Sequence, residues 1–178
     1  LVGADARGVS VLTYHALALR LTGRSFAASA GTQDEPVDFD AILDDALALL
    51  EGRRADAAGD VPDLPDEEAR RERLLAGYRH ILVDEYQDVD ERQYRLISAL
   101  AGRRLADAEA KLDLLAVGDD DQNIYAFRGT SNAFIRRFQD DYEAAPEYLV
   151  ENYRSSGHII AAANAIVGAA QDRLKRDH

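Results

Sequence analysis

Ile81-Leu82-Val83-Asp84-Glu85-Tyr86-Gln87-Asp88 is the stretch on which the fold reading turns. The run His80–Val83 is short, does not alternate and is rich in Val, Ile and Leu, the pattern of a strand covered on both faces. Two adjacent acids follow it at once, which puts Asp84 and Glu85 at the C-terminal tip of the strand. In an open α/β sheet that tip is the side where ligands bind. There, Asp84 could face a Mg²⁺ shell and Glu85 could orient or deprotonate a water. An Asp-Glu pair after a strand is also a common turn, so the pair alone leaves both readings open.

Working outward, Val9–Thr13 and Leu112–Val117 read as further buried strands, and Tyr148–Val150 as a fourth candidate after Pro146. Helical spacing separates them. Tyr94, Ile97, Ser98 and Ala101 share a face after Asp90, and Phe134, Ile135, Phe138 and Tyr142 share one after Ser131. Ile159, Ile160, Ala163 and Ile166 share a third after Ser155, so Asp90, Ser131 and Ser155 are the expected N-caps. Strand–helix alternation predicts an α/β domain with a mostly parallel sheet and flanking helices. From about Phe26 to Gly77 the rhythm breaks. An amphipathic helix (Phe39, Ile42, Leu43, Ala46, Leu47, Leu50) is followed by a weakly apolar stretch, Gly52–Pro65. A charged, Arg-rich helix then runs from about Asp66 to Leu75, so this segment reads as a small helical insertion.

The chain has 178 residues, 47% hydrophobic and 30% charged, enough to bury the core of one domain. No apolar run approaches the ~18–20 residues that a membrane span requires. Cys is absent, which excludes disulfides, thiolate metal sites and a Cys nucleophile. The net charge is −12, which on its face argues against a nucleic-acid partner. Its distribution removes that argument. Residues 34–68 carry 13 acids and two bases, or −11, leaving 20 acids against 19 bases elsewhere. With no Met and Leu1 at its start, the chain is expected to be an internal piece of a longer protein.

Three more stretches carry polar chemistry at predicted strand ends. Val117-Gly118-Asp119-Asp120-Asp121-Gln122-Asn123-Ile124-Tyr125-Ala126-Phe127-Arg128 ends a strand in a Gly turn, three acids and Gln122. Its Tyr125, Phe127 and Arg128 are the kit for stacking single-stranded bases and gripping phosphate. On composition alone the reading of Ile124, Tyr125 and Phe127 as ordinary core is the favoured one. Glu151-Asn152-Tyr153-Arg154-Ser155 offers a ring and a cation before a helix. Thr13-Tyr14-His15 sets a hydroxyl and an imidazole at a strand–helix junction, where they could meet a phosphate backbone. Each of these is also readable as surface or core without a ligand.

Taken in order, the four motifs closely resemble the UvrD/Rep-type superfamily 1 DNA helicases, over Val9–Leu21 and from Arg79 to about Gly168. The resemblance implies a partial RecA-like (P-loop NTPase) parallel sheet, an ATP-dependent 3′–5′ DNA helicase or translocase acting on single-stranded DNA, and ATP with Mg²⁺ as cofactors. It implies that Asp84 is the Walker B acid on Mg²⁺, with Glu85 beside it as the water-orienting base. Gln122 would sense the γ-phosphate, Arg154 would meet that phosphate across an interdomain cleft, and Tyr153 would pack on adenine. Tyr125, Phe127 and Arg128 match positions that hold single-stranded DNA, with Phe127 where many members have Trp. Thr13 and His15 match a motif that touches the DNA backbone.

The same resemblance divides the chain into 1–25 and 78–150 (first motor domain), 26–77 (acidic helical 1B-like insertion) and 151–178 (motif IV and the start of a second motor domain). It points to a cytoplasmic protein of DNA repair with no membrane association. One departure matters. The sequence has no Gly-x-x-x-x-Gly-Lys-[Ser/Thr], and its only lysines are Lys111 and Lys175. The 178 residues by themselves are therefore expected to be inactive, and to self-associate through an exposed sheet edge. A UvrD-like C-terminal region of a larger helicase, a degenerate helicase-like scaffold without motor activity, and the motor half of a helicase–nuclease are the competing readings.

Overall fold

The computed structural model describes residues 8–25, 37–53, 67–123 and 132–168. Among these described residues, six α-helices and two strands follow in the order α1 (Tyr14–Thr22), α2 (Phe39–Leu50), α3 (Glu67–Leu74), β1 (His80–Val83), α4 (Glu91–Ala101), β2 (Asp113–Ala116), α5 (Ala133–Tyr142) and α6 (Gly157–Val167). β1 and β2 pair in a two-stranded sheet. Asp113 N–H donates to Arg79 O and Val117 N–H to Val83 O, at 3.1 and 2.8 Å, the constant offset of a parallel register. Mixed helices with a parallel pair are consistent with the expected α/β class. Among the described residues no helix is long and apolar enough to cross a membrane.

The chain forms two compact units, Leu1–Ile81 with Arg92–Leu114, and Leu82–Glu91 with Leu115–His178. In the first, α1 and α2 supply most of the core. Thr13 Oγ1 accepts from Ala16 N–H at 3.2 Å and Asp38 Oδ1 from Ala41 N–H at 3.0 Å, so both helices start on side-chain caps. The apolar face of α2 (Ile42, Leu43, Ala46, Leu47, Leu50) is buried with Ala18, Leu19 and Leu21 of α1 and with Leu96 and Leu100 of α4. Full burial of one such Leu is worth about 2 kcal/mol. Arg71 of α3 is also inside, only 3% exposed. Its guanidinium donates to Ala99 O, Leu100 O and Ala110 O at 2.9, 2.5 and 3.2 Å. Two of those acceptors are last-turn carbonyls of α4, where a cation also meets the negative end of the helix dipole. Gly102 follows with φ +72°, and a Cβ there would lie 2.6 Å from Arg71 Nη1.

In the second unit, Tyr86 lies edge-on to Phe138 of α5, with ring centroids 5.1 Å apart, and Phe138 stacks on to Tyr142 at 4.9 Å. Arg137 pairs with Glu91 and Asp141 on the exposed side of α5. This is the expected α5 face, with Phe134 and Phe138 buried.

Several expectations are corrected. Val9–Thr13 and Tyr148–Val150 are not strands: their backbone pairs with no ladder among the described residues, and Val11 and Leu149 are 91% and 95% exposed. β-branched and apolar composition favours strand only where a neighbouring strand accepts the pairing. The sheet is not covered on both faces, since burial alternates along it and Leu82 and Leu115 are exposed. Asn132 rather than Ser131 precedes α5, and Ser156 rather than Ser155 precedes α6. The expected apolar face of α6 buries no residue. The stretch expected between the insertion's helices falls mostly on 54–66, outside the described residues, as do Ser131 and the segment Ile124–Thr130.

Candidate functional site

The tip of β1 and the turn after β2 build one polar cluster. After Asp84 the chain turns sharply, with Glu85 in the left-handed region at φ 51°, ψ 48°. A non-glycine residue in that region costs about 1–2 kcal/mol, so the surroundings must enforce it. They do so through the backbone. Tyr86 N–H donates to Val117 O at 2.9 Å, extending the parallel ladder past the bend, and Asp88 N–H closes a 3₁₀ turn on Glu85 O. Glu85 N–H donates to Asp84 Oδ1 at 3.0 Å. Both carboxylates face solvent.

Opposite them, Gly118 begins the turn after β2. A Cβ at this position would lie 3.0 Å from Gln87 Oε1 and 3.3 Å from Gln87 N, so the absence of a side chain lets the two strand ends close up. Asp119 then caps the 3₁₀ turn Asp120–Gln122, its Oδ1 accepting from Asp121 N–H at 3.1 Å. Its other oxygen accepts from Gln122 Nε2 at 2.8 Å. Gln87 joins the two sides. Its Nε2 donates to Glu85 Oε2 at 2.6 Å, and its Oε1 accepts from Asp119 N–H at 3.0 Å. Asn123 Nδ2 donates to Gln87 O at 2.9 Å, and Asn132 Nδ2 to Asp120 O at 3.2 Å.

The structure thus brings Asp84, Glu85 and Gln122 into one hydrogen-bonded cluster. Tyr153 and Arg154 are exposed, and the hydrogen bonds the structure shows around them are local to the turn before α6. Asn152 Oδ1 accepts from Arg154 N–H and Ser155 N–H at 3.0 and 2.8 Å, which shapes the turn before α6. Tyr153 donates its hydroxyl to the Glu151 carboxylate, a bond that raises the phenol above its ordinary pKa, burial adding the smaller part. Thr13 and His15 belong to the other unit and have local partners: Thr13 caps α1, and the His15 ring lies edge-on to Phe39 at 5.1 Å. Tyr125, Phe127 and Arg128 lie outside the described residues.

Two exposed carboxylates at a strand tip are hard oxygen donors that suit Mg²⁺. Among the described residues, the one group of three acids with converging oxygens is Asp119, Asp120 and Asp121, all within 4.8 Å. Sequence reasoning missed Gln87. The signal was present, a side chain with both donor and acceptor directly behind the acid pair, but its burial was not readable from spacing.

Residues 10–143 match the family described as UvrD/REP helicase N-terminal domain. The chain is 36% identical over 141 residues to the ATP-dependent DNA helicase UvrD1 of Mycobacterium bovis, a match covering 79% of this chain and 16% of that protein. It is 41% identical over 98 residues to the ATP-dependent DNA helicase Rep of Salmonella typhimurium (54% of this chain, 14% of Rep). The putative ATP-dependent DNA helicase YjcD of Bacillus subtilis is 39% identical over 106 residues, or 59% of this chain. The chain therefore spans about a sixth of the length of the curated relatives it matches.

Proposed function

The chain belongs to the UvrD/REP helicase N-terminal domain family, and from that premise we propose that it is part of the first motor domain of an ATP-dependent 3′–5′ DNA helicase or translocase. The observation that carries this reading is the cluster joining Glu85, Gln87, Asp119 and Gln122 at adjacent strand ends. In this proposal residues 1–25 and 78–150 belong to that domain, 26–77 form a helical insertion, and 151–178 begin a second motor domain.

Asp84 would hold Mg²⁺ through its shell, with Glu85 adjoining. The chemistry such an ion would supply is neutralisation of the charge that develops on the nucleotide phosphates. Glu85 orients the attacking water and accepts its proton, from a carboxylate fixed by Gln87. Gln122 responds to the γ-phosphate and carries that state toward Tyr125, Phe127 and Arg128, which stack and release single-stranded bases. Arg154 supplies positive charge to the γ-phosphate, Tyr153 packs on adenine, and Thr13 and His15 contact the DNA backbone. The cytoplasm is the proposed compartment. The 178 residues alone are proposed to be inactive, because the sequence lacks the Gly- and Lys-bearing phosphate loop. They are also proposed to self-associate through the exposed sheet residues Leu82, Leu115 and Val117.

The test is ATP hydrolysis by the protein carrying this segment, with and without single-stranded DNA. Glu85→Gln is expected to lower the DNA-stimulated rate by about 10²–10⁴-fold, the usual worth of a positioned general base. Gln122→Ala is expected to leave basal hydrolysis and remove its stimulation by DNA. A wild-type rate in Glu85→Gln, or full stimulation in Gln122→Ala, removes the respective role. DNA-stimulated phosphate release by the isolated 178 residues, abolished by Glu85→Gln, overturns the proposed inactivity.

A further inference from the structure

Gln87 is a polar side chain that the proposed mechanism needs only indirectly, yet it is among the most enclosed in the molecule, at 2% exposure. Both ends of its carboxamide are used. The Nε2 donates to an exposed acid, Glu85 Oε2, at 2.6 Å, and the Oε1 accepts from the backbone N–H of Asp119 at 3.0 Å. The reverse orientation would set Oε1 against a carboxylate and Nε2 against an N–H, so the two partners together fix which way the amide points. No other side chain does both jobs at this reach. Glu lacks the donor, Lys and Arg lack the acceptor, and Asn is one methylene short.

The consequence falls on Glu85. An exposed Glu ordinarily samples many rotamers, and ordering one carries an entropic cost. A buried amide anchored on the opposite strand end supplies a fixed donor that selects one direction. The same amide continues through Asp119 to Gln122 Nε2, which Asp119 Oδ2 accepts at 2.8 Å. Gly118 leaves the space that this bridge occupies.

We propose that Gln87 is the positioning residue of this site: it holds the Glu85 carboxylate in its working direction and ties it to the Asp119–Gln122 turn. This inference rests on the reading of Glu85 as the group that orients water. Gln87→Glu is the sharpest variant, because it is nearly isosteric, keeps an acceptor for Asp119 N–H and replaces the donor to Glu85 with an acidic oxygen that repels the carboxylate. Gln87→Met, which keeps the volume and removes both bonds, is the second.

In the protein carrying this segment, with saturating oligo-dT, each variant is expected to lower kcat about tenfold or more while KM for ATP stays within about threefold. A purely structural Gln would not split the two parameters in this way. The double variant Glu85→Gln/Gln87→Glu is expected to match Glu85→Gln within about twofold, since a positioning residue has nothing left to position. Either Gln87 variant folding and turning over within about twofold of wild type overturns the proposal, as does a double variant about tenfold slower than Glu85→Gln. If Glu85→Gln itself keeps the wild-type rate, the reading of Glu85 falls and this inference with it. If Glu85→Gln is inactive while the Gln87 variants are not, only the positioning role falls.

Discussion

Glu85 holds a left-handed backbone that its side chain does not favour, and Gly118 opposite has no side chain at all. The two residues answer the same requirement, the close approach of two strand ends around one buried amide. Gly118→Ala should therefore act on both stability and activity. Its Cβ must push Gln87 N and Tyr86 Cβ, which would lie at 3.3 and 3.2 Å. Crowding of that kind costs about 1–3 kcal/mol. Chemical denaturation should show the loss, and DNA-stimulated hydrolysis should fall with it; unchanged values for both would refute the close-packing account. Thr13 poses a different question, because its hydroxyl caps α1 and is also proposed to contact the DNA backbone. Thr13→Ala should cost about 1 kcal/mol through the lost cap, whereas Thr13→Ser should restore it. DNA affinity that recovers along with stability in the Ser variant would assign the hydroxyl to both tasks.

At the scale of elements, the join of α3 to α4 is the most demanding. Arg71 is carried by a helix that reads from sequence as a charged, solvated surface, yet its guanidinium satisfies three carbonyls inside the first unit. Buried acceptors left without donors cost about 1–3 kcal/mol each. Arg71→Leu is accordingly expected to destabilise by about 3 kcal/mol or more, a shift readable in urea melts. A loss under 1 kcal/mol, on the order of an exposed ion pair, would show that the carbonyls find water instead. Helices α2 and α5 were legible because apolar spacing alone places their faces. The helix α6 was legible too, but its periodic face is not a buried one, since none of its residues is buried.

For the whole molecule, the net charge of −12 is partly answered in place. In the first unit Arg24 pairs with Asp45 at 2.5 Å, Arg92 with Asp40 and Asp44 at 3.0 and 3.4 Å, and Arg95 with Glu51 at 3.9 Å. The acids of α2 are thus matched by arginines of α4 and of the segment after α1. Exposed pairs of this kind are worth up to about 1 kcal/mol each, so they blunt the acidic field more than they stabilise the fold. Apolar exposure is the larger molecular feature. Leu82, Leu115 and Val117 are 72%, 56% and 50% exposed on the sheet. Light scattering of the 178-residue chain should show mass rising with concentration, and Leu115→Lys should suppress it. A monodisperse monomer at high concentration would remove the proposed self-association.

By itself the sequence determined the helices α2 to α6, the strands β1 and β2, and the acid-bearing strand ends at Asp84–Glu85 and Asp119–Gln122. All of these follow from short-range periodicity or from residue types adjacent in the chain. Tertiary structure alone decided that Val9–Thr13 and Tyr148–Val150 form no strand among the described residues, because a strand is defined by its neighbour. It alone turned Arg71 from a surface charge into an internal clamp on α4. It alone made Gln87 the bridge between Glu85 and Asp119, residues 34 positions apart in the chain. The physical reason is common to all three. A ladder hydrogen bond, a buried guanidinium and a bridging amide each depend on groups that only folding brings within 3 Å or so.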